Sequence, residues 1–291
     1  MVFKLCKKAI VCTLLSGIIL SSCKKNSYLL SSNEELGIQS ENGQNIYHQV
    51  VAAHLVGYWK FDGNPSDASG HGNNGTLQLG HDYFGAGFPV LTSDRFGRQN
   101  MAYHFDRGGN IEVPYSKSLN PKEMSISLWS KKQLLDRTLN TDSYYLVAMN
   151  RWNGYKLQYQ SENKIFFTVR WSTPTDFGYY DRDDQSVVLD NDVWYHVAVT
   201  FKPGEMDFYI NGTLVKSWTD TPNPPVTLAN PVNFVIGQDL PTSQYSLDVN
   251  DPDHYVNYGG YFTGDIDDVM FFNDALTANQ VKSIFIRQSI L

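Results

Sequence analysis

From Leu55 onward the chain reads as short apolar-aromatic runs separated by Gly, Asn, Asp and Pro. Strands alternate apolar and polar positions with a period of two, whereas helices repeat them about every three to four residues. Met124 to Lys131 sets Met124, Ile126 and Leu128 against Ser125, Ser127 and Trp129, which predicts a half-buried strand. Leu55 to Phe61 is expected as the first strand, followed by a long turn-rich loop from Asp62 to Gly75. Met101 to Phe105 and Asn110 to Val113 flank Gly108-Gly109, a pattern that predicts a hairpin. Tyr144 to Met149, Tyr155 to Tyr159 and Lys164 to Trp171 read as one meander. Trp194 to Phe201, Met206 to Ile210 and Thr213 to Trp218 read as another, with Asn211-Gly212 as its type I′ turn. Phe234 to Ile236 and Phe262 to Phe272 complete the strands. One short C-terminal helix is expected. Thr277 and Gln280 form a capping-box pattern ahead of Val281, Ile284 and Phe285, which share a helical face.

The first 50 residues follow other rules. Lys4, Lys7 and Lys8 precede an apolar run from Ala9 to Leu20, and Leu20-Ser21-Ser22 leads into Cys23. A basic head, a short apolar run and small residues before a cleavage point are the features of an export signal, expected here over residues 1–22. The segment also resembles the lipobox of bacterial lipoproteins, which implies lipidation of Cys23 and anchoring in the cell envelope, expected at the outer membrane. Residues 23–50 are polar and read as a flexible tether, leaving 51–291 as the domain. The three cysteines are Cys6, Cys12 and Cys23, so this domain has no disulfide and must stand on its core. The chain carries 16 Phe, 18 Tyr and 6 Trp, a balance that favours strands. Its formal charge of −7 becomes more negative once three signal lysines are removed, which argues against a nucleic-acid partner.

Several segments, in order, resemble the laminin-G-like, concanavalin A-like lectin/glucanase domains. They include Gly57-Tyr58-Trp59-Lys60-Phe61-Asp62, Asp67 to Thr76, Ser125 to Trp129, Trp194 to Thr200, Phe208 to Gly212 and Gly264 to Val269. The resemblance implies an all-β, two-sheet antiparallel jelly-roll sandwich with the short C-terminal helix added. It also implies a structural Ca²⁺ where the first loop meets the closing strand, which carries over to Asp62, Asp67 and Asp267. The alternative for Asp62 and Asp67 is that they cap turns through their own backbone.

Glucanases of this superfamily use Glu-x-Asp-x-x-Glu on one strand, and this chain has no such motif. Its domain contains only Glu112, Glu123, Glu162 and Glu205, so a glycosidase would have to use an atypical pair such as Asp183 and Asp184. Those two and Asp181 read as an acidic loop. The histidines lack metal-ligand spacing, and His104 and His196 read as structural. Sugar binding needs flat aromatic faces beside polar groups. The candidates are Trp152 at a hairpin tip, Tyr179 and Tyr180 beside the acidic cluster, and Tyr255, Tyr258 and Tyr261 in a long loop. The expected function is non-catalytic binding of a polysaccharide or glycan, with adhesion to other envelope proteins as the alternative.

Overall fold

The computed structural model describes residues 41–134, 144–160, 163–185, 187–221 and 223–290. Helix α1 spans Glu41–His54 and leads directly into β1, Leu55–Trp59. Short strands β2 (Thr76–Gln78), β3 (Val90–Thr92), β4 (Ala102–Phe105) and β5 (Asn110–Val113) follow, then the long β6 (Met124–Lys132). The first meander is β7 (Tyr144–Met149), β8 (Tyr155–Gln160), β9 (Lys164–Ser172) and β10 (Phe177–Asp183). The second is β11 (Trp194–Lys202), β12 (Glu205–Ile210) and β13 (Thr213–Trp218). Strands β14 (Phe234–Ile236) and β15 (Gly264–Phe272) precede helix α2, Ala278–Ser289.

These strands form two antiparallel sheets, as the alternation predicts. One runs β13-β12-β11-β6-β15-β4-β3, with β1 also paired to β15; the other runs β10-β9-β8-β7-β14-β5-β2. Between them lies the main core, which includes Trp59, Phe105, Ile126, Leu157, Phe167, Val199, Phe234 and Phe271. Trp59 stacks on Phe234 at 5.4 Å, joining the two layers. The capping box of α2 forms: the Thr277 hydroxyl accepts from the Gln280 amide, and the Gln280 side chain accepts from the Thr277 amide. Asn211 and Gly212 turn with φ of 49° and 72°, as a type I′ hairpin demands.

Four expectations are corrected. Strands β4 and β5 do not pair with each other: β4 joins β15 and β3, while β5 joins β14 and β2 in the other sheet. Phe105 and Ile111 are both needed in the core from opposite sides, so the chain crosses between layers at Gly108, where φ is 78°. Next, residues 41–50 belong to α1 rather than a tether, and Val50 is buried with Tyr58, Met270 and Ile284. Strand β6 is buried on both faces, because α1 and α2 cover the outside of its sheet. Finally, Asp181 and Asp183 lie on edge strand β10, not in a loop. The expected signal, Cys23 and the tether to residue 40 lie outside the described residues.

Candidate functional site

Strand alternation fixes which side chains leave the sandwich. Tyr155, Leu157, Phe167 and Val169 enter the core, so Lys156, Thr168 and Arg170 must point outward from the seven-stranded sheet. Register then places Lys156 opposite Thr168, Thr168 opposite Asp181, and Arg170 opposite Tyr179. The Thr168 hydroxyl donates to Asp181 at 2.6 Å, and the Arg170 guanidinium lies 5.1 Å from the Phe177 ring centre. Phe177 and Tyr179 are 57% and 42% exposed at the sheet edge. Tyr180, one residue on, points the other way and packs against the core, with Arg182 stacked over it at 4.3 Å.

Trp152 overhangs this face from the tight turn Arg151–Asn153 between β7 and β8. Its indole N–H donates to Asp253 at 3.0 Å, a bond that holds the Asp253 carboxyl below its usual range. Tyr258 lies 6.4 Å from the Trp152 ring and is half exposed, and Tyr255 meets Tyr258 edge-on at 5.3 Å. The sequence brings these three together across about a hundred positions because Arg151 ties the two loops. Buried Arg151 donates to Asp239 at 2.6 Å and to the Tyr255 carbonyl at 3.2 Å, while its guanidinium lies 4.9 Å from the Trp152 ring. Tyr245 and the Gly260 amide complete the shell of Asp239. Tyr261 is sealed in a small apolar cluster with Phe84, Leu240 and Val256, so it presents no surface to a ligand.

Lys156 sits where these parts meet. Its ammonium lies 5.3 Å from the Tyr145 ring, 5.9 Å from Trp152 and 5.9 Å from Phe166. Burial pushes its pKa down, and attraction to Asp181 and Asp239 works against that shift. Nothing in the sequence pattern around β8 distinguishes this lysine from a solvated strand residue; the signal was its outward position beside Trp152.

The expected calcium ligands do not converge. Asp67 accepts from the amides of Tyr58, Ser69 and Asn73 and from the Ser69 hydroxyl, four donors for the roughly four lone-pair sites of a carboxylate. Burial opposes ionisation there, but these bonds prevail and hold the Asp67 carboxyl below its usual range. Asp267 is buried and pairs with Arg95 at 2.6 Å, and Asp62 is exposed. Among the described residues no three His, Cys, Asp or Glu side chains are grouped to hold a metal ion. Asp67 is a loop cap, the alternative open from its sequence. Asp183 and Asp184 do not face a common cleft: Asp183 accepts from the Gln185 amide on the outer side, whereas Asp184 is buried and accepts from the Ile165 amide. Burial pushes Asp184 up to about 6.

A family model described as the concanavalin A-like lectin/glucanases superfamily, of laminin-G type, matches residues 105–282. The chain belongs to that superfamily. No curated protein matches it significantly. Among solved structures, it resembles domain 4 of AbnA, a GH43 extracellular arabinanase from Geobacillus stearothermophilus, in complex with arabinotriose. That likeness has a TM-score of 0.55 at 20% identity, covering 79% of this chain and 97% of the other. The binding domain of Paraclostridial Mosquitocidal Protein 1 matches with a TM-score of 0.57 at 15% identity, covering 82% of this chain and 53% of that one. The ligand-binding domain of botulinum neurotoxin serotype D, in complex with N-acetylneuraminic acid, matches at 0.54 and 18%, covering 84% and 53%. The superfamily chain thus spans about half the length of these toxin domains. At such identities the likeness shows the concanavalin A-like fold alone.

Proposed function

We propose that this superfamily member is a non-catalytic carbohydrate-binding domain whose ligand lies along the outward face of β8, β9 and β10, under Trp152. The observation that carries this reading is the placement of half-buried Trp152 and exposed Tyr258, their loops tied by the buried Arg151–Asp239 pair, beside a row of polar outward strand residues. Aromatic faces take up the C–H side of a sugar ring, and neighbouring amides, hydroxyls and charges pair with its hydroxyls. The structural neighbours supply supporting context, since one is a domain bound to arabinotriose and another to N-acetylneuraminic acid. Affinity electrophoresis against neutral and acidic polysaccharides tests the reading. At least one polymer should retard the protein, and Trp152→Ala should weaken that binding about tenfold, or about 1.4 kcal/mol. Silence across the panel, or full binding by the variant, overturns it.

The same reading has the domain exported and held in the cell envelope, at the outer membrane, through lipidated Cys23. The basic start, the apolar run and the small residues before that cysteine support it. Radiolabelled palmitate should enter the wild-type protein and be lost in Cys23→Ser.

A further inference from the structure

Lys156 is about nine-tenths buried, and its nearest described partners are three aromatic rings rather than a carboxylate. Two other buried cations meet acids directly, Arg95 with Asp267 and Arg151 with Asp239, whereas Lys132, like Lys156, lies over an aromatic ring, that of Tyr144. The acids nearest to Lys156 are already engaged: Asp239 by Arg151, Tyr245 and the Gly260 amide, Asp181 by the Thr168 hydroxyl. An ammonium set among rings keeps donor capacity that an incoming group can take over from water. The outward rows of β8, β9 and β10 carry both signs, Lys156, Lys164 and Arg170 with Asp181 and Asp183, and Asp253 lies beside them on the Trp152 indole.

We propose that Lys156 is an anion-binding subsite within this face and that the ligand is a glycan bearing a sugar carboxylate. The inference rests on the carbohydrate-binding reading and names its substrate class. The sugar ring lies against Trp152, and its carboxylate accepts from the Lys156 ammonium. A charge-assisted bond of this kind is stronger than one to a neutral hydroxyl, and the rings exclude the water that would screen it. Selectivity for acidic over neutral sugars therefore resides in one side chain.

The test is titration calorimetry of the full chain with uronate polysaccharides (polygalacturonate, alginate and desulfated chondroitin), their carboxyl-reduced forms, and dextran sulfate. At least one uronate polymer should bind, and its carboxyl-reduced form should bind at least tenfold more weakly. Lys156→Met keeps the apolar stem and removes the charge; it should weaken binding of the native uronate polymer far more than that of its reduced form and so erase that preference. The reduced-polymer comparison needs no variant, so a misfolded Lys156→Met does not decide the matter. Equal affinity for native and reduced polymers overturns the proposal, as does preference retained in folded Lys156→Met. Binding of dextran sulfate alone overturns the carboxylate assignment. If neutral polymers bind through Trp152 while no uronate polymer does, the subsite fails and the carbohydrate reading stands. If no glycan binds at all, both fall.

Discussion

On the eight-stranded sheet, Asp265, Asp267 and Asp268 point outward and each meets a cation, Lys131 for the first, which also bonds His104, and Arg95 for the other two. On the seven-stranded sheet, outward Lys156 is set among three rings, with Asp181 and Asp239 attracting its charge. The first face lies under α1 and α2, where Val50, Tyr58, Met270 and Ile284 form a second apolar layer. There, polar groups serve to fasten helices. Arg95 shows this most clearly, since it also donates to the Gln288 carbonyl near the end of α2 and lies 4.6 Å from the Trp129 ring. The second face keeps its helix-free rows of polar and aromatic side chains, with Phe177, Tyr179 and Tyr258 exposed at its margins. Paired charges mark the fastened face; on the other, Lys156 set among rings is the feature on which the proposed ligand site rests.

The sharpest way to break this contrast is Arg95→Ala. Burial and the neighbouring Asp268 carboxylate push Asp267 upward, and Arg95, which pairs with both carboxylates, is the cation opposing that shift. Removing one partner of a buried pair leaves an uncompensated acid, at a cost of about 3–5 kcal/mol. Urea denaturation should show that loss, while glycan affinity at low temperature, where the variant stays folded, should stay within twofold of wild type. A stability change below about 1 kcal/mol would mean that the helix side is not held this way.

Much of that contrast was legible in the chain, and the gaps have physical causes. Alternation over β6, β11 and β15 gave the strands, and Thr277 with Gln280 gave α2, because those signals are local. Helix α1 was missed because Glu41–His54 is polar nearly all round, so only Tyr47, Val50 and Val51 pack inward. Strand β10 was missed for a related reason: at a sheet edge its outward row holds Phe177, Tyr179, Asp181 and Asp183, a mixture that reads as a loop. At the candidate site, Trp152 at its hairpin tip and Tyr255 and Tyr258 in their long loop were picked out as aromatics in turn-rich segments, and the fold sets them side by side. Tyr261 was misjudged since an apolar cluster around a loop has no periodicity to reveal it. Lys156 went unseen because its meaning depends on Tyr145 and Phe166, brought beside it only by strand pairing.

His196 sharpens the comparison from the protonation side. It is fully buried between Trp129 and Phe285, with Ser127 at 2.8 Å from Nε2, and burial pushes its pKa down to about 3. An unfolded histidine titrates near 6.5. Its folded value is the lower one, so stability is complete above about pH 6.5 and declines as the pH falls towards 3, where the unfolded chain takes up a proton that the folded chain refuses. At pH 5 this residue should account for about 2 kcal/mol. Wild type and His196→Gln, compared by urea denaturation at pH 7.5 and pH 5, should differ in their pH dependence by that amount. Identical profiles would show that the buried face carries no such proton linkage.

The smallest expected effect concerns the loop once read as a metal site. Asp67→Asn keeps one acceptor oxygen but turns the other position into a donor facing donors, the Ser69 hydroxyl or the Asn73 amide. Losing a charged acceptor from a partly exposed turn should lower stability by about 1 kcal/mol. Because Asp67 has its lone pairs filled by backbone and hydroxyl donors, chelator should leave the melting midpoint of wild type and variant alike unmoved. The two measurements separate the readings cleanly. A cap loses stability on substitution whatever the metal concentration, whereas a calcium ligand loses it only where calcium was present to begin with. A midpoint that falls with chelator in wild type, recovers with Ca²⁺ and is indifferent to both in Asp67→Asn would return the metal to this loop.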